Sequence, residues 1–110
     1  MNIDLKGWQE EFYRWVGGDL GTVRETIEHA VAHGVHVEVT TLIIPGRNDS
    51  AADMDAAARW LASLSPEIPL HISRYFPRHR VSTPPTPIAL IDRLAEIARR
   101  HLRHVHRGNC

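Results

Sequence analysis

A chain of 110 residues with 13 Lys and Arg against 13 Asp and Glu, and 43% hydrophobic residues, fits one modest soluble domain with a single core. The balanced charge argues against a nucleic-acid partner, and the longest apolar run, Leu42-Ile43-Ile44, is far short of the roughly 20 residues that cross a bilayer. The opening Met1-Asn2-Ile3-Asp4-Leu5-Lys6 lacks the basic-then-apolar order of a signal peptide, so a cytoplasmic chain without a membrane partner is expected.

Residues 2–5 read as a short buried strand, and Gly7 interrupts the pattern before a short amphipathic helix over residues 8–16 that Gly17-Gly18 ends. Asp19 caps a second helix in which Leu20, Val23, Ile27, Ala30 and Val31 recur at helical spacing, with Gly34 as its stop. From Val35 the period changes to two. Val35, Val37, Val39, Thr41 and Ile43 share one face of a strand, and His36, Glu38, Thr40, Leu42 and Ile44 share the other. The turn Pro45-Gly46-Arg47-Asn48-Asp49 leads to a helix capped by Asp49 or Ser50, with Met54, Ala57, Leu61 and Leu64 along one side.

Residues 69–75 alternate as a strand, and residues 76–85, with Pro77, Pro84 and Pro85, read as loop. Thr86 is expected as an N-cap with Pro87 in the first helical position, ahead of a helix striped by Ile91, Leu94, Ala98 and Leu102. His104-Val105-His106 makes a last short strand. Strands alternating with helices imply parallel pairing. The fold class is therefore α/β, a partial (β/α) barrel fragment of three to four parallel strands with crossover helices. Helices on one face leave the second strand face, with Glu38, Thr40 and Arg74, for ligands near the strand ends.

Four motifs carry a family resemblance: Asp4-Leu5-Lys6 at a strand end, Glu38-Val39-Thr40-Thr41-Leu42, Ile44-Pro45-Gly46-Arg47-Asn48-Asp49-Ser50, and Ser73-Arg74-Tyr75 followed by Pro84-Pro85-Thr86-Pro87. In this order and spacing the chain resembles radical S-adenosylmethionine (SAM) enzymes, in particular the radical SAM member of the AmmeMemoRadiSam system, a relative of pyruvate formate-lyase-activating enzymes. The resemblance implies that residues 1–110 are the C-terminal part of a six-stranded partial barrel, from the fourth strand through the sixth and its helix. It also implies SAM as cofactor and, in the parent family, a [4Fe–4S] cluster held by a Cys-x3-Cys-x2-Cys loop. Cys110 is the only cysteine here, so this chain supplies no such ligand set and is expected to be inactive alone.

Asp4 and Lys6 match the family's Asp-x-Lys pair beside the amino and carboxylate ends of SAM. Alternate strand residues point the same way, so one anion and one cation face a zwitterion. The same two residues read without the resemblance as an exposed ion pair. Thr40 stands where pyruvate formate-lyase activators carry an arginine near SAM, and Phe76 where many relatives have a histidine. Glu38 is a ligand-facing carboxylate or an exposed one on an edge strand. Arg74 is a charged contact in the barrel or the structural partner of Glu38.

The histidines give weaker signals. His29 and His33 have a zinc-capable spacing, but Ala30 stands where a metalloprotease helix has glutamate, and a solvated helix face accounts for them. His101, His104 and His106 with Arg99, Arg100, Arg103 and Arg107 form a basic cluster that a helix C-terminus favours. Partners are expected from the open sheet, as a missing N-terminal half or a second copy. The rival readings are a structural or self-associating remnant, and a small-ligand module without catalysis.

Overall fold

The computed structural model describes residues 1–75 and 85–109; the loop expected around Phe76, Pro77 and Pro84, and Cys110, lie outside the described residues. Eight elements follow in order: β1 (Asn2–Asp4), α1 (Glu10–Val16), α2 (Leu20–Ala32), β2 (Glu38–Ile43), α3 (Ala51–Leu64), β3 (Leu70–Arg74), α4 (Ile88–Arg99) and β4 (Val105–Gly108). The strands form one sheet in chain order, β1-β2-β3-β4, and every neighbouring pair is parallel. The expected α/β architecture with crossover helices is thus the observed one.

Strand parity sets the two faces. Val39, Thr41 and Ile43 of β2 and Leu70 and Ile72 of β3 are buried against Ile27 and Ala30 of α2, Met54, Ala58 and Leu61 of α3, and Ile91, Leu94, Ala95 and Ala98 of α4. These apolar side chains make one core between the sheet and the three longer helices. The alternate residues Glu38, Thr40, His71 and Ser73 are half-buried, and Leu42 and His106 are exposed. One face is covered and one is open.

The caps explain the helix starts. Asp19 accepts from the Gly21 amide, and Ser50 accepts from the Asp53 amide, so Ser50 is the cap of α3. Asp49 instead closes the preceding turn by accepting from the Gly46 amide at 2.9 Å, with Gly46 at φ 75°.

Two expectations are corrected. The last crossover helix begins at Ile88 with Pro87 as its cap, and Thr86 is not the cap. The Thr86 side chain is wholly buried; its hydroxyl donates to the Ile43 carbonyl at 2.6 Å and accepts from the Tyr75 amide at 3.1 Å. It ties the end of β2 to the chain leaving β3, a stronger use of a buried hydroxyl than an exposed cap. The first helix begins at Glu10 rather than Trp8, because the Trp8 ring is engaged elsewhere: the Arg24 guanidinium lies 4.7 Å from its centre and 4.9 Å from that of Trp60.

Candidate functional site

At the C-terminal end of β1 and β2, a cavity of about 260 Å³ opens on the uncovered face of the sheet. Asp4, Lys6 and Thr40 line it together with Phe12, Val16, Leu42 and Ile44. Register explains the grouping of Asp4 with Thr40, and Lys6 lies two residues past Asp4, just beyond the end of β1, on the same cavity. The result is one acid, one base and one hydroxyl in an otherwise apolar hollow.

The backbone that carries Lys6 is held from both sides. Its amide donates to the Tyr13 hydroxyl at 2.8 Å, and its carbonyl accepts from the Asn48 side chain at 2.8 Å. Burial pushes the Tyr13 phenol above its ordinary range, which keeps it protonated. Asn48 also donates to the Leu42 carbonyl at 2.7 Å, and its oxygen accepts from the Ile44 amide at 2.7 Å. Thr41, on the covered face, donates to the Leu5 carbonyl at 2.8 Å. Position and orientation of the Asp-x-Lys segment are therefore fixed by three buried polar side chains.

Gly7 is required beside them. A Cβ there would stand 2.8 Å from Cδ1 of Phe12, the aromatic wall of the cavity. Beyond Phe12 the Trp15 ring is 55% exposed, and the Arg47 guanidinium lies 4.2 Å from its centre. This pair bridges α1 and the turn after β2 next to the cavity walls Val16 and Ile44.

Glu38 and Arg74 are placed apart from this cavity. Glu38 is on the open face two residues before Thr40, where its carboxylate accepts from Nε2 of His71 at 2.8 Å and faces Nε2 of His36 at 3.3 Å. The hydrogen bond from His71, and then that from His36, holds its carboxyl below the usual carboxylate range. Arg74 pairs in register with Ile43 and shares the face of Leu70 and Ile72, opposite to Glu38. Its Nε donates to the Thr86 carbonyl at 2.5 Å. Arg74 is thus no partner of Glu38, and the expectation that both stand on the second face is corrected for Arg74. Among the described residues no group of three His, Cys, Asp or Glu side chains is arranged to hold a metal ion. None of their helices is long and apolar enough to cross a membrane.

No protein-family model matches the chain. An uncharacterized protein of Methanocaldococcus jannaschii is 38% identical over 113 residues, which cover 99% of this chain and 34% of that protein. The chain therefore spans about a third of the curated relative it matches. A domain of pyruvate-formate lyase-activating enzyme from Bacteroides vulgatus superposes with a TM-score of 0.83 at 19% identity, covering 98% of this chain and 66% of that one. A radical SAM methyltransferase from Sphaerobacter thermophilus superposes with a TM-score of 0.73 at 18% identity, covering 96% of this chain and 32% of that one. The chain shares the fold of these two proteins.

The radical SAM resemblance carried by the four motifs is borne out at the level of this radical SAM-like fold. Within it the structure brings Asp4, Lys6 and Thr40 together and sets Glu38 and Arg74 elsewhere. Sequence reading missed Asn48, Tyr13 and His71. Asn48 stood in a motif but read as a turn residue, and Tyr13 read only as part of an amphipathic helix. His71 shares strand parity with Ser73, which becomes a signal once β2 and β3 are known to pair.

Proposed function

We propose that this chain is the C-terminal part of a radical SAM enzyme of the pyruvate formate-lyase-activating type, and that its cavity receives the amino-acid end of SAM. The observation that supports this reading is the gathering of Asp4, Lys6 and Thr40 around one hollow at the strand ends, on a fold shared with a radical SAM protein. Lys6 offers its ammonium to the ligand carboxylate, Asp4 offers its carboxylate to the ligand ammonium, and the Thr40 hydroxyl is placed to give or take a further hydrogen bond. At about 260 Å³ the cavity suits an amino-acid moiety and is smaller than the pockets of roughly 300–1,000 Å³ that enclose a whole cofactor.

A [4Fe–4S] cluster does not fit the residues present. Such clusters need several thiolates and this chain has one cysteine, so the cluster belongs to the part of the parent enzyme that this chain does not contain. Bound SAM would supply, with that cluster, the reductive cleavage that starts radical chemistry. What this chain supplies is orientation: a locked Asp-x-Lys segment and a low, apolar wall of Phe12, Val16, Leu42 and Ile44 that strengthens the two ionic contacts.

Nuclear magnetic resonance of the chain titrated with SAM tests this reading. Shifts confined to the backbone of Asp4, Lys6, Thr40 and their neighbours, with no iron uptake on anaerobic reconstitution, are expected. Shifts elsewhere, or iron held without thiolates, would contradict it.

The open face favours a second reading as an associating module. Leu42 is 42% exposed in its centre, and β1 and β4 are unpaired edges among the described residues. Either the N-terminal half of a parent protein or a second copy would cover it, and sedimentation of the purified chain as a dimer or larger species is expected. A compact monomer without dye-binding apolar surface would count against it.

A further inference from the structure

Beside the cavity, the open face carries a second set of chemistry-bearing groups. Asp4, Thr40, His71 and His106 stand in one lateral row across all four strands. His71 is therefore one strand from the Thr40 wall of the cavity, a spacing of about 4.8 Å between strands. Its Nε2 lies 2.8 Å from Oε1 of Glu38, and its side chain is 36% exposed. Its ring stacks on that of His106 of β4, with centres 5.1 Å apart.

The hydrogen bond fixes the tautomer. An ionised Glu38 can only accept, so Nε2 of His71 carries the proton and Nδ1 of the neutral ring keeps its lone pair. Among the described residues Nδ1 of His71 has no hydrogen-bond partner. A ring nitrogen with its lone pair free, on a part-exposed imidazole oriented by a carboxylate at the other nitrogen, is the arrangement of a carboxylate-oriented general base.

We infer that Glu38 and His71 form a proton-transfer dyad on the open face of the sheet, serving the O–H or N–H group of a ligand bound across β2 and β3. In the step, the ligand's proton passes to Nδ1 of His71 and the bonding pair stays on the ligand atom. The Nε2–H stays on His71 and keeps donating to Glu38, whose charge stabilises the imidazolium; the reverse step returns the proton. The charged and titratable groups around the dyad are His36 just before β2, His106 on β4, and Asp4 at the far end of the row. The inference rests on these side chains and not on SAM binding, and either can fail without the other.

Nitrogen NMR of the whole chain with labelled histidine tests it, together with acylation by diethyl pyrocarbonate located by mass spectrometry. At about pH 8, where a histidine is ordinarily neutral, His71 is expected as the Nε2–H tautomer and as an acylated residue. Glu38→Gln is expected to loosen the hold on the ring and slow its acylation several-fold, with His29 unchanged. The Nδ1–H tautomer, protection of His71 from the reagent, or acylation indifferent to Glu38→Gln would overturn the inference. Should Glu38→Gln fail to fold, the wild-type tautomer and acylation decide it.

Discussion

Asn48 donates from its side-chain amide to the carbonyl of Lys6, 2.8 Å away, and so joins the turn after β2 to the end of β1. Two of the motifs that carry the family resemblance meet in this bond. Asn48→Ala would leave the Lys6 and Leu42 carbonyls and the Ile44 amide without this partner in a largely buried place. A loss of about 2–4 kcal/mol in urea unfolding is expected. SAM affinity should fall as well, because the Lys6 backbone loses one of its two fixings; unchanged stability would show that water replaces the amide.

Thr86→Val keeps the shape of the side chain and removes the hydroxyl that bonds Ile43 and Tyr75. A cost of about 1–3 kcal/mol is expected, because the buried Ile43 carbonyl and the part-buried Tyr75 amide both lose this partner. Thermal or urea unfolding of the variant measures it. If Thr86 served as an exposed helix cap instead, Thr86→Ser would be harmless and Thr86→Val would cost no more than about 1 kcal/mol.

Arg24 lies over both Trp8 and Trp60, 4.7 and 4.9 Å from their centres, and the two rings meet each other at 5.5 Å. Arg24→Ala should cost about 1–3 kcal/mol and redden tryptophan emission as both rings gain water. Arg24→Lys should recover only part, since a compact ammonium lacks the planar guanidinium surface that covers both rings. Full recovery by lysine would reduce the contact to charge alone.

Acid should weaken the fold through two carboxylates. Asp55 accepts from Nε2 of His101 at 2.7 Å and from Arg59 at 2.6 Å, and the His101 bond leads the causes that hold its carboxyl below the usual range. Glu38 is held low by His71 and His36. A carboxyl depressed in the folded state stabilises fully above its unfolded value of about 4 and loses that contribution as pH falls through the folded one. The urea midpoint should therefore drop below about pH 4. Asp55→Asn should start lower and fall less steeply over that window; an unchanged slope would mean that Asp55 contributes nothing there.

Much of the fold was legible in the sequence. Every element was visible in its period, and the split of β2 into a Val39-Thr41-Ile43 face and a Glu38-Thr40-Leu42 face is the observed split. Parity also carried the information that Arg74 belongs with Leu70 and Ile72, so its placement on the other face was a misreading of a signal already present. Thr86 was misplaced for a different reason. A threonine before proline ahead of an apolar stripe matches a cap locally, and only the long-range meeting with Ile43 competes with it.

The site was half legible. Asp4 and Lys6 could be paired because a strand has period two, and Thr40 because it faces the same way from β2. Asn48 and Tyr13 act through hydrogen bonds to the Lys6 backbone across 42 and 7 residues, and no local pattern encodes such contacts. The Glu38–His71 contact spans 33 residues and depends on the register of β2 against β3.

The open rim offers a further check on the cavity. Gly7→Ala brings a Cβ to 2.8 Å from the Phe12 ring, so the ring must move. A loss of about 1–3 kcal/mol is expected from the overpacking, with weaker SAM binding because Phe12 is a cavity wall. Unaltered SAM binding in a folded Gly7→Ala variant would place the ligand away from Phe12.

Isothermal titration calorimetry of the whole chain with SAM tests the central claim most directly, beside Lys6→Ala and Asp4→Asn. Binding without iron is expected, weakened about tenfold or more in each variant as one charge-assisted contact is lost. No binding by the wild-type chain, or binding indifferent to both substitutions, would contradict it.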